Sequence, residues 1–487
     1  MLSSLTPKSL WTIFEQICQI PHPSHHEEMI SKYIVDFAAK HQIDCQLDKV
    51  GNILLRKAAT AGMEHCPSIV LQAHMDMVPQ KNEETQHDFL IDPIKPYIDG
   101  EWVKAQGTTL GADNGIGLAS ALAVLSDPAV EHGPIEVLVT ASEETGMVGA
   151  FGLQPNWLNS RFLINTDSEE EGEIFTGCAG GIDFKSTFAI TYAIIPDVHD
   201  TFLRLSLKGL KGGHSGCDIH LGRGNAIKLL IRFLAQYAQD IPFRLADFRG
   251  GSLRNAIPRE AFAEITLNQK DLPRLAALIG EFQQILQHEF KHVEPNVTFS
   301  YTHLEKDNVK RVITAEQQQK ILNWLNSAPN GVVRMSNEIK GIVETSLNLG
   351  IVEIKDNQIA AYFLIRSQVD SAKDAVASTL ISHSELINAN YEINGGYSGW
   401  TPNLDSKLLK LAESNYHNIF AKKAKIMVIH AGLECGLFTK HYPQMDMISI
   451  GPTIVSPHSP DERVNIESVT KYWQLLVSIL RSADNLK

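Results

Sequence analysis

Histidines and carboxylates follow short apolar runs at four places in the chain, and these residue types are the ligands and proton carriers of metal-dependent hydrolysis. The runs read SIVLQA, IEVLVTA, RFLINT and MISIGP. The residues that come after them are, in order, His74 and Asp76, Glu143 and Glu144, Asp167, and His458. In an open α/β sheet, the carboxyl ends of the strands gather such side chains into one cleft. Asp113, in a loop before a helical segment, could join them.

The charge of that cleft favours a pair of metal ions. Five of the candidates are acids, which carry about −5 when all are ionised and which would repel one another or take up protons if packed alone. Two divalent cations supply about +4. Histidine and carboxylate ligands without cysteine suit a catalytic zinc, with Mn²⁺ or Co²⁺ as substitutes. Taken singly, each residue is also typical of a turn, a helix cap or a solvated loop, so the prediction depends on the joint pattern.

The elements that must position these residues read as a helix-covered sheet. The apolar runs at 68–73, 135–141 and 161–166 are rich in Val, Ile and Leu and do not alternate, which predicts strands buried on both faces of a largely parallel sheet. Ser24 and Glu27 predict a capping box that opens a helix through about Lys40. The segment GADNGIGLASALAVL predicts a Gly-rich loop leading into a helix.

The pattern changes after residue 180, where alternating strands predict one solvent-exposed face. The predicted elements of this block are strands at 202–208, 261–267, 346–354 and 358–367, helices at 225–239, 272–290 and 315–326, and a hairpin turn at Asp356–Asn357. Helix 407–420, strand 447–451 and a helix from Ile466 then restore the buried pattern. We therefore predict an α/β chain with a discontinuous catalytic domain (1–180 and 397–487) and an inserted α+β domain (181–396).

Composition excludes several classes of partner. The 487 residues carry 43 Lys and Arg against 56 Asp and Glu, a net charge of −13, which argues against nucleic acid and against an anionic membrane. The six cysteines form no C-x-x-C pair, so a reducing, cytoplasmic location is the simplest interpretation. No signal peptide and no apolar stretch of about 18 residues is visible.

Five motifs, taken in order, resemble those of the di-zinc aminopeptidase, aminoacylase and carboxypeptidase superfamily. They are HMD (74–76), GADNG (111–115), SEE (142–144), NTD (165–167) and SPHSPDE (456–462). Further segments are similar to the bacterial aminoacyl-histidine dipeptidases, also called cytosolic non-specific dipeptidases: PSHHEE (23–28), GGHSG (212–216), NAIP (255–258) and HAGLECG (430–436). The resemblance covers essentially the whole chain; His22 stands where the pattern has Arg, outside the ligand set.

The resemblance implies a role for each residue of the cleft. The residues that match metal-ligand positions are His74, Asp113, Glu144, Asp167 and His458. Asp113 would bridge two zinc ions, one also bound by His74 and Asp167, the other by Glu144 and His458. Asp76 would orient the ring of His74, and Glu143 would be the general base for a zinc-activated water.

The resemblance also implies a purpose for the inserted domain, as a lid that mediates homodimerisation and binds substrate. His214 matches a lid histidine that stabilises the oxyanion. Arg366 is our candidate for binding the terminal carboxylate of the substrate, with Asn255 in the same pocket and Glu434 near the substrate amine. The expected activity is hydrolysis of dipeptides with broad specificity, including Xaa-His. The alternatives are an N-acyl-amino-acid amidohydrolase or a tripeptidase with the same site, or a non-enzymatic protein, against which the intact Glu143 argues.

Overall fold

The computed structural model describes residues 2–237 and 240–487, and the chain divides into two compact units. The first unit comprises the residues up to Cys178, Trp400–Val428 and Leu433–Lys487. The second comprises Ala179–Gly399 and Ile429–Gly432. The sequence places the borders at 180 and 397 instead, and it leaves the short segment 429–432 in the catalytic domain. No helix within the described ranges has the length and apolar character needed to cross a bilayer.

Helices and strands alternate along the chain in three stretches. The first contains α1 (Lys8–Ile17), α2 (Glu28–Lys40), β1 (Asp44–Leu47), β2 (Ile53–Lys57), β3 (Ile69–His74), β4 (Pro96–Asp99), β5 (Trp102–Ala105), α3 (Ala112–Ser126), β6 (Ile135–Thr140), α4 (Val148–Gly152), β7 (Phe162–Asn165) and β8 (Glu173–Cys178). The second contains β9 (Gly180–Ala189), β10 (Tyr192–Ala193), β11 (Thr201–Lys208), β12 (Gly213–His214), α5 (Ala226–Tyr237), β13 (Arg244–Gly250), β14 (Ala256–Ile257), β15 (Ala261–Leu267), α6 (Leu272–Glu289), β16 (Thr298–His303), β17 (Val312–Ile313), α7 (Ala315–Ser327), β18 (Gly331–Met335), β19 (Val343–Lys355), β20 (Gln358–Ser367), α8 (Asp370–Glu385) and β21 (Asn390–Tyr397). The third contains α9 (Lys407–Phe420), β22 (Lys425–Ile429), α10 (Glu434–Phe438), β23 (Asp446–Ser449), β24 (Ile454–Val455), β25 (Arg463–Asn465) and α11 (Ile466–Arg481).

The central sheet of the first unit has eight strands in the order β1-β2-β6-β3-β7-β23-β8-β22. Its four middle strands, β6, β3, β7 and β23, are parallel. Every residue of β3 and β6 is buried, as expected for strands covered on both faces. The α/β fold class is therefore confirmed. The flanking strands β1, β2 and β8 pair in antiparallel fashion, so the parallel part is limited to the middle of the sheet.

Helix α3 approaches the end of β7 so closely that only glycine fits at one position. A Cβ at Gly117 would lie 2.5 Å from Thr166 Oγ1 and 2.6 Å from the Thr166 carbonyl oxygen. The side-chain amide of Asn114 donates to that carbonyl at 2.9 Å. The first turn of α3, which carries Asp113, is thereby held against the residues that follow β7.

The second unit is built on an antiparallel nine-stranded sheet, with β18 paired beside the path β16-β11-β15-β13-β19-β20-β9-β21. Strands β19 and β20 form a hairpin in which Lys355 pairs with Gln358. The two turn residues, Asp356 and Asn357, have φ of 50° and 59°, which confirms the predicted turn. The helix predicted for 225–239 is α5, and its predicted end at Gln239 lies outside the described residues.

The predicted capping box at the start of α2 is wrong. The helix begins at Glu28, and Glu27 takes the N-cap position without a side-chain cap hydrogen bond. The hydroxyl of Ser24 instead donates to Asp76 Oδ2 at 2.8 Å, and the Glu27 carboxylate accepts hydrogen bonds from Ser142. Both side chains are therefore bound by residues after β3 and β6, which the local sequence pattern could not indicate.

Candidate functional site

The two carboxylate oxygens of Asp113 face two different histidines in the first unit. Oδ1 lies 3.2 Å from His74 Nε2, and Oδ2 lies 3.1 Å from His458 Nε2. Beside the first histidine, Asp167 Oδ1 lies 3.4 Å from His74 Nε2. Beside the second, Glu144 Oε1 lies 3.0 Å from His458 Nε2. The site thus consists of two half-sites, each with one histidine and one acid, which share Asp113.

This arrangement fits a pair of divalent cations. Glu144 Oε1 and Asp167 Oδ1 are buried, and within the described part of the chain the groups that face them are the nitrogens of His458 at 3.0 Å and His74 at 3.4 Å. The donor atoms of His74, Asp113 and Glu144 all lie within 4.8 Å of one another. Oxygen and imidazole donors with no thiolate suit Zn²⁺, Mn²⁺ and Co²⁺. Buried carboxylates gathered in this way are stabilised by positive charge.

The pKa values of the site show the same demand for positive charge. Hydrogen bonds to Asp113 and Glu144 raise the pKa of His458 to about 11. Burial lowers the pKa of His74, but the charge of Asp167 and hydrogen bonds to neighbouring acids outweigh it and hold this pKa well above its usual value. Burial raises the pKa of Asp167 to about 6. The carboxylates therefore attract positive charge, from protons or from metal ions.

Asp76 connects a histidine of one half-site to the backbone of the loop after β6. Its Oδ1 lies 3.3 Å from His74 Nδ1. The same carboxylate accepts hydrogen bonds from the backbone N–H groups of Glu143 at 2.9 Å and Glu144 at 3.2 Å. Asp76 is only 1% exposed. It can therefore orient the ring of His74, as the resemblance implies, and it also fixes the two glutamates.

The side chain of Glu143 is held close to the other acids of the site. Burial, with the charges of Asp167, Glu434 and Glu144, raises its pKa well above the usual value. A carboxylate with a raised pKa is a stronger proton acceptor than a free glutamate.

Comparison with known proteins places the chain in a family. The sequence profile of peptidase family M20/M25/M40 matches residues 70–482. The chain belongs to this family. The cytosol non-specific dipeptidase of Escherichia coli (strain K12) is 56% identical to the chain over 480 residues, which are 99% of this chain and 98% of that protein.

Solved structures agree with the assignment to the M20/M25/M40 peptidases. The crystal structure of aminoacylhistidine dipeptidase from Vibrio alginolyticus is similar to this chain with 52% identity and a TM-score of 0.91, covering 99% of this chain and 98% of that one. Aminopeptidase PepT from Bacillus cereus ATCC 10987 shares the fold, with 15% identity, a TM-score of 0.58 and coverage of 98% and 99%. The resemblance found in the motifs is therefore confirmed, and the chain is a peptidase.

Glu462 is a residue of this peptidase that the sequence did not single out. It is 2% exposed, and its two carboxylate oxygens accept hydrogen bonds from four consecutive backbone N–H groups, Leu110 to Asp113, at 2.7 to 3.2 Å. It thus fixes the loop that carries the shared ligand. A hydrogen bond to a backbone N–H group can involve any residue type, so the residues at 110–113 do not indicate this contact. The one sequence signal for it is the position of Glu462, four residues after His458.

Glu434, which the resemblance placed near the substrate amine, is bound by two side chains of the central sheet in this peptidase. The side chain is completely buried. Its Oε2 accepts hydrogen bonds from Gln72 at 2.5 Å and Thr140 at 2.8 Å, and burial raises its pKa to about 7. Gln72 and Thr140 lie on β3 and β6, so Glu434 joins two central strands.

The candidate substrate-binding residues of the peptidase lie in the second unit. Arg366, at 5% exposure, lies near neutral partners: Ser215 Oγ at 3.4 Å, Tyr397 OH at 3.2 Å and His214 Nε2 at 3.3 Å. Burial and the Arg366 charge lower the pKa of His214 to about 4, so this histidine is uncharged at neutral pH. Within the described ranges, no carboxylate forms an ion pair with Arg366. A buried guanidinium that no carboxylate contacts can bind the carboxylate of a ligand through two parallel hydrogen bonds.

Asn255 contributes to this cluster through its backbone. Its carbonyl accepts a hydrogen bond from the Ser215 N–H at 2.8 Å, beside the pairing of His214 with Ala256. The residue itself is exposed. The structure therefore brings His214 and Arg366 into contact, while it leaves the side chain of Asn255 outside their hydrogen bonds.

Proposed function

We propose that this chain is a metal-dependent dipeptidase of broad specificity that includes Xaa-His dipeptides among its substrates. The observation that carries the proposal is the division of the Asp113 oxygens between two half-sites, because it supports two cations a short distance apart. The printed names of its relatives, a cytosol non-specific dipeptidase and an aminoacylhistidine dipeptidase, support the substrate class.

Two Zn²⁺ ions per chain are the metals that we propose, with Mn²⁺ or Co²⁺ as substitutes. The ligands would be His74, Asp113 and Asp167 for one ion, and His458, Asp113 and Glu144 for the other. When bound, such ions supply Lewis acidity, which polarises a peptide carbonyl and acidifies water. Asp76 holds the ring of His74 through Nδ1, and this leaves Nε2 free to bind a metal.

The proposed chemistry assigns the proton transfers to Glu143. Its carboxylate accepts a proton from the attacking water and then passes that proton to the departing amine nitrogen. The raised pKa supports this role, because a carboxyl group that must return its proton cannot be a very weak base. Asp76 contributes by holding the backbone N–H of Glu143, and with it the direction of that side chain.

For substrate binding, we propose that Arg366 binds the terminal carboxylate of the dipeptide and that the neutral His214 donates a hydrogen bond to the oxyanion. The unpaired guanidinium supports the first role. The lowered pKa of His214 supports the second, since a neutral imidazole acts as a donor without titrating near pH 7. Asn255 remains a weaker candidate for the same pocket, through its backbone.

We further propose that the chain acts in the cytoplasm as a homodimer formed through the second unit, without nucleic acid or membrane partners. Strand β21 supports the dimer, because it lies at the edge of its sheet with Tyr391 and Ile393 41% and 43% exposed, and the backbone of an edge strand can pair with a second copy. Light scattering of the purified chain tests this: a monomer at micromolar concentration would contradict it.

A parallel assay tests the activity. The purified protein, loaded with zinc, is given Gly-His, Ala-His, a tripeptide and an N-acetyl amino acid. We expect rapid cleavage of the two dipeptides alone. Hydrolysis of the N-acetyl compound or of the tripeptide instead would favour the amidohydrolase or tripeptidase alternatives, which use the same site.

A further inference from the structure

The loop between β6 and the two glutamates of the site begins at a residue with strained backbone. Ser142 has φ of 48° and is 5% exposed. The left-handed region is unfavourable for a residue with a Cβ, so this conformation must be held by its surroundings. Glu143 follows directly, which means that the backbone direction at Ser142 decides where the Glu143 side chain points.

The carboxylate that holds Ser142 belongs to Glu27, the residue directly before α2. Glu27 Oε1 accepts a hydrogen bond from the Ser142 N–H at 3.0 Å and another from the Ser142 hydroxyl at 2.5 Å. The next two N–H groups, of Glu143 and Glu144, donate to Asp76. Three consecutive N–H groups of the loop are therefore bound by two carboxylates, neither of which is a proposed metal ligand.

We propose that Glu27 is a positioning residue for the peptidase reaction. It holds Ser142 in its left-handed conformation and thereby sets the direction of the Glu143 side chain. The inference rests on the proposed role of Glu143. It also explains why the Ser24–Glu27 pair does not cap α2: Ser24 binds Asp76 and Glu27 binds Ser142, so both side chains of the pair support the 142–144 loop.

The test compares three variants of the full, zinc-loaded chain. In Glu27→Ala the two hydrogen bonds are lost, and we expect kcat on Gly-His to fall roughly 10- to 100-fold, because a small misplacement of a catalytic group costs that much. KM and the bound metal should stay near the wild-type values. Glu27→Gln keeps an acceptor oxygen, and we expect its kcat to lie within about fivefold of wild type. Glu28→Ala, at an exposed position in the first turn of the same helix, is the matched control and should behave as wild type.

A second measurement does not depend on activity. Crystal structures of Glu27→Ala and Glu28→Ala should differ at Ser142, whose φ should leave the left-handed region only in the first. The proposal is overturned if Ser142 keeps a φ near its present value in Glu27→Ala, or if that variant has the kcat of Glu28→Ala, or if it loses metal in place of kcat. If wild type and Glu28→Ala fold but do not cleave dipeptides, the proposed function fails, and the Ser142 geometry alone then decides the role of Glu27.

Discussion

Each unit of this peptidase buries charge that its own side chains balance only in part, and the sign of that charge is opposite in the two units. In the first unit, carboxylates crowd around two histidines, and the pKa of His458 rises to about 11 in response. In the second, a single guanidinium, Arg366, lies among a serine, a tyrosine and a neutral histidine. The charges of the first unit therefore favour cations, and the charge of the second favours an anion.

The difference in sign indicates which kind of ligand could neutralise the charge of each unit. A buried charge without a partner destabilises a fold, so it persists where a ligand supplies the opposite charge. We propose metal ions as the ligands of the first unit and the free carboxylate of a peptide as the ligand of the second. The predictions below separate the two requirements, since each variant should change metal binding, catalysis or substrate affinity without changing the others.

The largest effect is expected from the shared ligand. Asp113→Asn removes a charge from both half-sites, and we expect both metals to be lost and activity to fall by at least about 10³-fold. Metal content by plasma mass spectrometry and kcat on Gly-His measure this. Asp374→Asn, at an exposed site on α8, is the control. Retention of two metals by the Asp113 variant would contradict the two half-sites.

Glu143→Ala should separate catalysis from metal binding. We expect kcat to fall about 10²- to 10⁴-fold, the usual contribution of a general base, while two metals remain bound. Steady-state kinetics and metal analysis of the same preparation test it. A variant with near-wild-type turnover would remove Glu143 from the mechanism.

Arg366→Lys tests the anion requirement of the second unit. A lysine cannot bind a carboxylate through two parallel hydrogen bonds, so we expect KM for dipeptides to rise roughly 10- to 100-fold with metal content unchanged. Arg232→Lys, whose exposed partner is Glu289, should leave KM unaltered. If KM for a dipeptide does not change in the Arg366 variant, the guanidinium binds something other than the terminal carboxylate.

The smallest effect concerns stability against pH. The pKa of His214 is lowered from 6.5 to about 4, so between these values the unfolded chain takes up a proton that the folded chain does not. Stability is therefore lost as pH falls through this window, on the order of 1–2 kcal/mol between pH 7 and pH 5.

Thermal unfolding of His214→Gln across that range should show a smaller loss than wild type. His288→Gln, at an exposed position on α6, should follow wild type. Parallel curves for the His214 variant and wild type would mean that folding does not lower the pKa of this imidazole.

Much of the architecture could be predicted from local patterns. Apolar runs without alternation indicated the buried parallel strands, and β3, β6 and β7 lie within one residue of 68–73, 135–141 and 161–166 at each end. The turn at Asp356–Asn357 followed from residues that tolerate positive φ. These features depend on neighbours in the chain, which is why the sequence alone carries them.

Local pattern could not predict which groups bind one another across the fold. The capping box failed because the side chains of Ser24 and Glu27 bind Asp76 and Ser142 instead of N–H groups at the start of α2. The hydrogen bond from the Leu110 N–H to the Glu462 carboxylate joins residues 352 positions apart.

The amino-acid order by itself therefore determined the chemical types in the cleft, five acids and two histidines at strand ends and loop starts, and with them the family. The tertiary structure decided which oxygen of Asp113 faces which histidine, and which backbone N–H groups Asp76, Glu27 and Glu462 hold. The physical reason is that a buried hydrogen bond forms only where folding brings two groups within bonding distance and removes water from them. The spacing of residues along the chain gives neither that distance nor that loss of water.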